Sequence, residues 1–363
     1  MKIGITGFSN SGKTTVFNAL TGQNIETTAY ATTSGEPHVA VVGVPDERLD
    51  KLSAFYKPKK TTRATVDYVD YLGLTKGDPK QNAKVFELIR DSDALLHVAR
   101  AFEDPSVPHP LESVDPLRDA QYLEAELILG DLALVEKRLD KIKELAQKGK
   151  KDKGADAEKE VLERCMEALE SETPLRAAGL GEDDLKTVRH LGFLSLKPEL
   201  VVLNVSEDDL KSGRAAELAK KASEKLKGSV EALALSGKIE MELAQMPPED
   251  AGAFLEDLGV KEPALNRLIR ASYRLLDYIS FFTAGEDECR AWSITNGTPA
   301  KKAAGKIHSD IEKGFIRAEI ISYEDFMKVN GSMGEARSHG YLRLEGKDYP
   351  MKDGDIVNFR FNV

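Results

Sequence analysis

Residues 7–14 read GFSNSGKT, and this pattern, G-x-x-x-x-G-K-[ST], constrains the chain more than any other stretch of it. An apolar, β-branched run from Lys2 to Thr6 precedes it and a helix-like stretch from Thr15 to Leu20 follows. A strand that turns through two glycines straight into a helix points backbone N–H groups, and the positive end of the helix dipole, at one spot. That spot binds phosphate. Gly7 and Gly12 permit the turn, and Asn10, Ser11, Gly12 and Thr15 supply contacts around the phosphates. Lys13 is placed to bridge the β- and γ-phosphates and Thr14 to ligate Mg²⁺. A ligand-free glycine turn is the plain alternative, and the flanking strand and helix argue against it.

Short apolar runs recur at Lys2–Thr6, His38–Val44, Ala64–Tyr71, Asp93–Arg100, Glu199–Val205 and Ser229–Ser236, with helical stretches between several of them. The alternation predicts a doubly wound α/β sheet. From about Tyr122 to Gly192 the strand signals stop. Leu132, Val135, Leu139 and Ile142 follow a 3,4,3 spacing, then come KGKKDKG (148–154) and a second apolar series ending at Leu169. This predicts an antiparallel helical arm, its lysine-rich tip either a solvated loop or a partner contact. From Tyr278 the texture turns β-branched, aromatic and glycine-punctuated, which predicts a small strand-rich domain closed by DGDIVNFRFNV (353–363). The expected division is 1–125 and 193–277 for the two parts of the nucleotide domain, 126–192 for the arm and 278–363 for the terminal domain.

A chain of 363 residues exceeds one core and fits two or three domains. No apolar run reaches the length of a membrane span, and the first residues read as a core strand rather than a leader, so the expected location is the cytoplasm. Cys165 and Cys289 have no Cys or His at a metal-ligand spacing. A net charge of −10 argues against indiscriminate nucleic-acid binding, and no DNA partner is expected. The terminal domain, with 12 basic and 13 acidic residues, is near neutral and so a better place for RNA than the acidic remainder.

Further motifs fill in the site. Asp70-Tyr71-Leu72-Gly73 fits D-x-x-G, in which the carboxylate serves Mg²⁺ and the Gly73 amide senses the γ-phosphate. Leu74 stands where related switches carry a water-orienting glutamine, and an apolar side chain cannot do that. Asn204-Val205-Ser206-Glu207 occupies the place of the guanine-reading N-K-x-D, and Ser236-Gly237-Lys238 resembles a base-contacting loop. Without the lysine and aspartate, guanine selection should collapse, so ATP is expected to bind at least as well as GTP.

These residues resemble the Obg-like ATPases, the YchF family. The likeness is carried by GFSNSGKTT, IRDSDALLHVARAFED (89–104), SVDPLRDAQYLEAELILGDLALVEKRL (113–139), NVSE, FFTAGEDECRAW (281–292) and AAGKIHSDIEKGFIRAEIISYEDF (303–326). The resemblance implies a GTPase-like sheet, a coiled-coil insertion, a ubiquitin-like TGS domain, ATP often preferred over GTP, and association with ribosomes or ribosomal RNA. It also implies roles for three residues. His109 is a candidate for orienting water, with a solvent-facing loop histidine as the alternative. Asn10 resembles the asparagine that holds K⁺ in some glutamine-lacking GTPases, against a simple loop cap. In switch I, Ser34 is favoured over Thr33 as the Mg²⁺ hydroxyl on register. The chain departs from the family after DYLGL, where TKGDPKQNAK keeps Lys76-Gly77 and loses the later glycines.

Trp292 is expected in a core, and the basic run Lys57-Pro58-Lys59-Lys60 to Arg63 as a solvated loop, with an RNA contact as its alternative. The expected function is a slow ATP/GTP hydrolase switching on the translation machinery. The rival is a ribosome- or RNA-binding adaptor whose nucleotide is structural. A small-molecule kinase is disfavoured for want of an arginine-rich lid.

Overall fold

The computed structural model describes residues 1–25, 37–149, 154–228 and 230–362. Thr33, Ser34 and the 150–153 part of the lysine run lie outside them. Twelve strands are found among the described residues: β1 Lys2–Thr6, β2 His38–Gly43, β3 Lys60–Thr62, β4 Thr65–Asp70, β5 Ala94–Arg100, β6 Glu199–Asn204, β7 Glu231–Leu235, β8 Tyr278–Thr283, β9 Glu288–Thr295, β10 Phe315–Ser322, β11 Arg343–Glu345 and β12 Asp355–Phe361. They form two six-stranded sheets, ordered β2-β4-β1-β5-β6-β7 and β11-β10-β12-β8-β9-β3.

The chain divides into two compact units, one of residues 1–40 and 67–268, the other of 41–66 and 269–363. In the first, β4, β1, β5, β6 and β7 pair in parallel. Every residue of β5 and β6 is buried, because central strands of a parallel sheet are covered on both faces and lose the polar alternation of a half-exposed strand. The helix Lys13–Thr21 leaves β1 through the glycine loop. Parallel strands all send their C-terminal ends to one edge, so the loops after β1, β4, β5, β6 and β7 gather there.

The helix that carries the arm begins at Pro116, before the expected 126, and its first turns pack on the sheet through Leu123 and Leu127. Asp115 caps a 32-residue helix, Pro116–Gln147, by accepting from the Arg118 N–H, with Pro116 at the first helical position where its missing N–H costs nothing. It packs on a second helix, Ala155–Glu170, through Val135, Leu139 and Ile142 against Val161, Leu162, Cys165 and Leu169. Arg138 and Glu158 join the pair by two bonds of 2.8 and 2.7 Å. At the arm's base the buried Asp131 carboxylate accepts from the Leu194 and Ser195 amides and the Ser195 hydroxyl.

In the second unit β8 and β9 form an antiparallel hairpin, β12 returns parallel to β8, and β10 and β11 extend the sheet. The helix Ala300–Ile307 lies on one face. Its Ala300, Ala303 and Ala304, all with no exposed surface, meet Phe281, Ile294, Met351, Val357 and Phe359. This is the ubiquitin-like arrangement expected of the terminal domain. Trp292 stacks on Phe281 at 6.3 Å, half-buried, with the Arg290 guanidinium 3.8 Å above its ring.

The unit's boundary differs from the expected 278. Residues 41–66, assigned by sequence to the nucleotide domain, belong to it: β3 pairs in parallel with β9, and the helix Glu47–Tyr56 packs against the same strand. Within the basic run only Lys60–Thr62 form a strand; Lys57 and Lys59 lie before it and are exposed, with Lys59 paired to Asp287 at 2.7 Å. Three residues are too few to show a period, and their partner is more than 200 residues away.

Candidate active site

The phosphate loop is bent as its glycines allow. Gly7 and Gly12 have φ of 141° and 89°, and Asn10 between them has φ 63°. Side chains would not fit either: a Cβ on Gly7 would lie 2.4 Å from the Val98 carbonyl, and one on Gly12 2.2 Å from Asn204 Nδ2. Lys13 is buried and donates from Nζ to the Phe8 carbonyl at 2.7 Å. Burial pushes its ammonium down to about 8, with the Asp70 carboxylate opposing. Thr14 Oγ1 donates to Asp70 Oδ2 at 2.8 Å, while Asp70 Oδ1 is buried with no hydrogen-bond partner. Burial raises the Asp70 pKa, and Lys13 and the Thr14 bond hold it back. The Ser11 hydroxyl is buried and unpartnered too.

Hydroxyl and carboxylate oxygens side by side, one of them lacking a donor, are the hard ligands that Mg²⁺ takes while keeping most of its waters. The residues fit that ion. Among the described residues no group of three or more His, Cys, Asp or Glu could hold a metal by itself.

The D-x-x-G segment is bonded directly to the phosphate loop. Ser9 N donates to Leu74 O and Leu74 N to Gly7 O, at 3.1 and 3.0 Å. This brings Gly73 so close that a Cβ there would lie 2.7 Å from Lys13 Nζ and from Ser9 N. The Leu74 side chain points the other way, fully buried among Phe8, Val69, Val85, Ile89 and Leu123. It belongs to the core.

On the base side the structure reassigns several candidates. Asn204 acts as a tie, donating from Nδ2 to Ser11 O at 3.1 Å and accepting from Gly237 N at 2.9 Å. It brings the Ser236–Gly237 loop against the phosphate loop, where Gly237 meets the Thr15 methyl. Val205 does not face a ligand: its side chain is 2% exposed in a cluster with Ala99, Val201 and Leu203. Glu207 opens a short helix and is exposed, pairing with Lys211 at 2.8 Å. Phe102, which no pattern singled out, lies beside Gly12 with the Arg100 guanidinium 4.5 Å over its ring.

His109 is not turned to solvent. Its side chain is 6% exposed, with Nε2 2.9 Å from Asp119 Oδ2 and Nδ1 accepting the Leu111 N–H at 3.0 Å. Burial lowers its pKa, and Asp119 opposes that. Asn10 Nδ2 donates to the Pro108 carbonyl at 3.0 Å, so the K⁺ reading of Asn10 rests on its side-chain oxygen.

Comparison with known proteins identifies the family. Residues 2–129 match the family described as 50S ribosome-binding GTPase, and residues 278–362 match the YchF GTPase C-terminal family, described as a protein of unknown function (DUF933). The chain is 43% identical to the "Ribosome-binding ATPase YchF" of Bacillus subtilis, over 99% of both chains. It is 42% identical to the protein of the same name from Escherichia coli O157:H7, over 100% of this chain and 99% of that one. The chain belongs to the YchF family. The solved YchF GTPase of Schizosaccharomyces pombe superposes with a TM-score of 0.85 at 30% identity, covering 99% of this chain and 97% of that one. As a YchF family member the chain carries a GTPase-type sheet with a complete phosphate loop. No helix among its described residues is long and apolar enough to cross a membrane.

Proposed function

We propose that this YchF family protein is a cytoplasmic, ribosome-associated nucleoside triphosphatase that hydrolyses ATP, and also accepts GTP, as a conformational switch. One observation carries the chemistry: Lys13, Thr14 and Asp70 converge at the glycine loop, with Asp70 Oδ1 left without a donor. The ribosome enters through the relatives, whose names describe ribosome-binding ATPases.

The residues divide the work. The loop amides from Asn10 to Thr14 bind and orient the phosphates, and Lys13 gives up its bond to the Phe8 carbonyl to face the β/γ oxygens. The charge of a triphosphate reverses the cost that burial imposes on the ammonium. Thr14 and Asp70 would hold Mg²⁺, which when bound neutralises charge on the β- and γ-phosphates. Ser34 would add the switch I hydroxyl. Gly73 lets the segment after β4 approach without displacing Lys13, and its amide is offered to the γ-phosphate. Leu74 takes no part in orienting water; the family resemblance makes His109 the candidate for that task, and to perform it His109 must first leave Asp119.

Dual nucleotide use follows from the base side. A guanine site needs a carboxylate aimed at the base edge, and Glu207 instead faces Lys211. Phe102, beside Gly12, offers a flat apolar face that suits either purine. Multiple-turnover phosphate release from ATP and GTP, with and without ribosomes, tests the reading. Lys13→Ala should abolish release while the melting transition persists. Wild-type release from that variant would refute it, and a wild type that binds nucleotide but does not turn over would favour the adaptor.

A further inference from the structure

The segment between β5 and the arm helix is fastened at both ends. Arg100, at the end of β5, donates to the carbonyls of Phe102, Asp104 and Val107, which fixes the course of the backbone. Asn10 then pins Pro108 to the phosphate loop. The next residue, His109, directs its ring to the first turn of the helix Pro116–Gln147, where Asp119 receives it. The Leu111 amide can only donate, so Nδ1 is the acceptor, and the ring proton sits on Nε2, where it is given to Asp119. Both nitrogens are engaged. The other carboxylate oxygen of Asp119 accepts from Arg118 at 3.0 and 2.7 Å.

We propose that Asp119 is a positioning residue that stows His109 in the arm helix, so that hydrolysis waits on release of this pair. The inference rests on the hydrolase reading above and on His109 as the group that orients water. Pro108 is held at the phosphate loop, so release frees the His109 side chain on a backbone already anchored there. The restraint resides in a charge-assisted hydrogen bond, the strong kind, and its acceptor belongs to the arm rather than to the sheet.

Asp119→Asn is the sharp test because it keeps the volume and spoils the bonding. If the amide oxygen faces Arg118, the NH₂ faces Nε2 and drives the proton to Nδ1, against the Leu111 N–H. If the amide is flipped, NH₂ faces the guanidinium. Basal kcat of the full chain without ribosomes should rise about tenfold at unchanged KM, the order of magnitude of one lost charge-assisted bond. Nitrogen-15 spectra of the imidazoles should show His109 with bare Nδ1 and protonated Nε2 in the wild type and a mixed tautomer in the variant. Asp119→Glu, which keeps the carboxylate, should retain the slow rate, and Asp119→Asn with His109→Ala should be no faster than His109→Ala alone. An unchanged or lower kcat in a folded Asp119→Asn protein overturns the proposal, as does an unchanged His109 spectrum. Should that variant fail to melt cooperatively, Asp119→Ser is judged by the same two readouts. Failure of the underlying reading looks different: the wild type would then bind nucleotide without turning over, or Lys13→Ala or His109→Ala would hydrolyse at the wild-type rate.

Discussion

Gly73→Ala isolates space from conformation at the heart of the site. The backbone at Gly73 lies outside the left-handed region, so alanine can adopt it, and the whole effect comes from one methyl group. That methyl would sit 2.7 Å from Lys13 Nζ, 2.7 Å from Ser9 N and 2.8 Å from Ser9 Cα, where ordinary contact begins at 3.4 Å. At least 0.7 Å must be found, 3.4 less 2.7. The Ser9 backbone is bonded to Leu74, so either that pairing opens or the ammonium moves. Overpacking of this kind costs about 1–3 kcal/mol of stability. Displacing a catalytic group by about 1 Å costs on the order of 10²-fold in rate. Urea unfolding and single-turnover ATP hydrolysis should therefore diverge, with a folded protein that has lost roughly 99% of its rate. Gly252→Ala is the control. Nothing lies within 4 Å of its added methyl, and it sits inside the helix Pro248–Asp257, so it should gain about 0.5–1 kcal/mol and keep full activity. A Gly73→Ala enzyme turning over within threefold of wild type would refute the reasoning.

Three further outcomes follow from buried charge and from the unit boundary. The Lys13 ammonium has a folded pKa of about 8 against 10.5, so the unfolded chain binds more protons between those values and stability rises with pH across that window. Lys13→Met should then be more stable than wild type at pH 7, by up to about 3 kcal/mol, and lose the advantage above pH 10.5; denaturant midpoints at both pH values check it. Asp131→Ala leaves the Leu194 and Ser195 amides and the Ser195 hydroxyl without their acceptor, and should cost about 2–4 kcal/mol in the same assay. Truncation at 278 should not yield a clean nucleotide domain, because it removes β9 from β3 and uncovers Leu49 and Leu52; light scattering and a lowered melting temperature would show this, and a monodisperse, fully active fragment would contradict it.

Much of the first sheet was legible because each strand carries its own signal. Ala94–Arg100 and Glu199–Asn204 are mostly apolar, with His97 the one polar residue inside either run and Arg100, Glu199 and Asn204 at their ends, and those ends fall within a residue of where composition places them. The phosphate loop, Lys13, Thr14 and Asp70 were legible for the same reason: the chemistry needs those residue types at those spacings. What escaped depended on partners far away in sequence. Val205 reads as a base-contacting residue until β6 is seen to turn it into the core. Glu207 reads as an aspartate substitute until Lys211 takes it. Phe102 and Asp119 carry no local signature at all, since a phenylalanine beside a glycine and an acid in a first helical turn are common everywhere.

The pairing of β3 with β9 also bears on the order in which the protein is made. Thr62 hydrogen-bonds Glu288, 226 residues further on. At about 5–20 residues per second, the ribosome completes β9 roughly 11–45 s after β3 has left it. Through that interval β1, β4 and β5 can already be pairing, while residues 41–66 wait as an exposed loop with Leu49 and Leu52 uncovered. Nascent chains of this protein therefore present the apolar stripe of an amphipathic helix, Glu47–Tyr56, until the rest of the second unit has been made, and a chaperone that shields short amphipathic helices would find its substrate there.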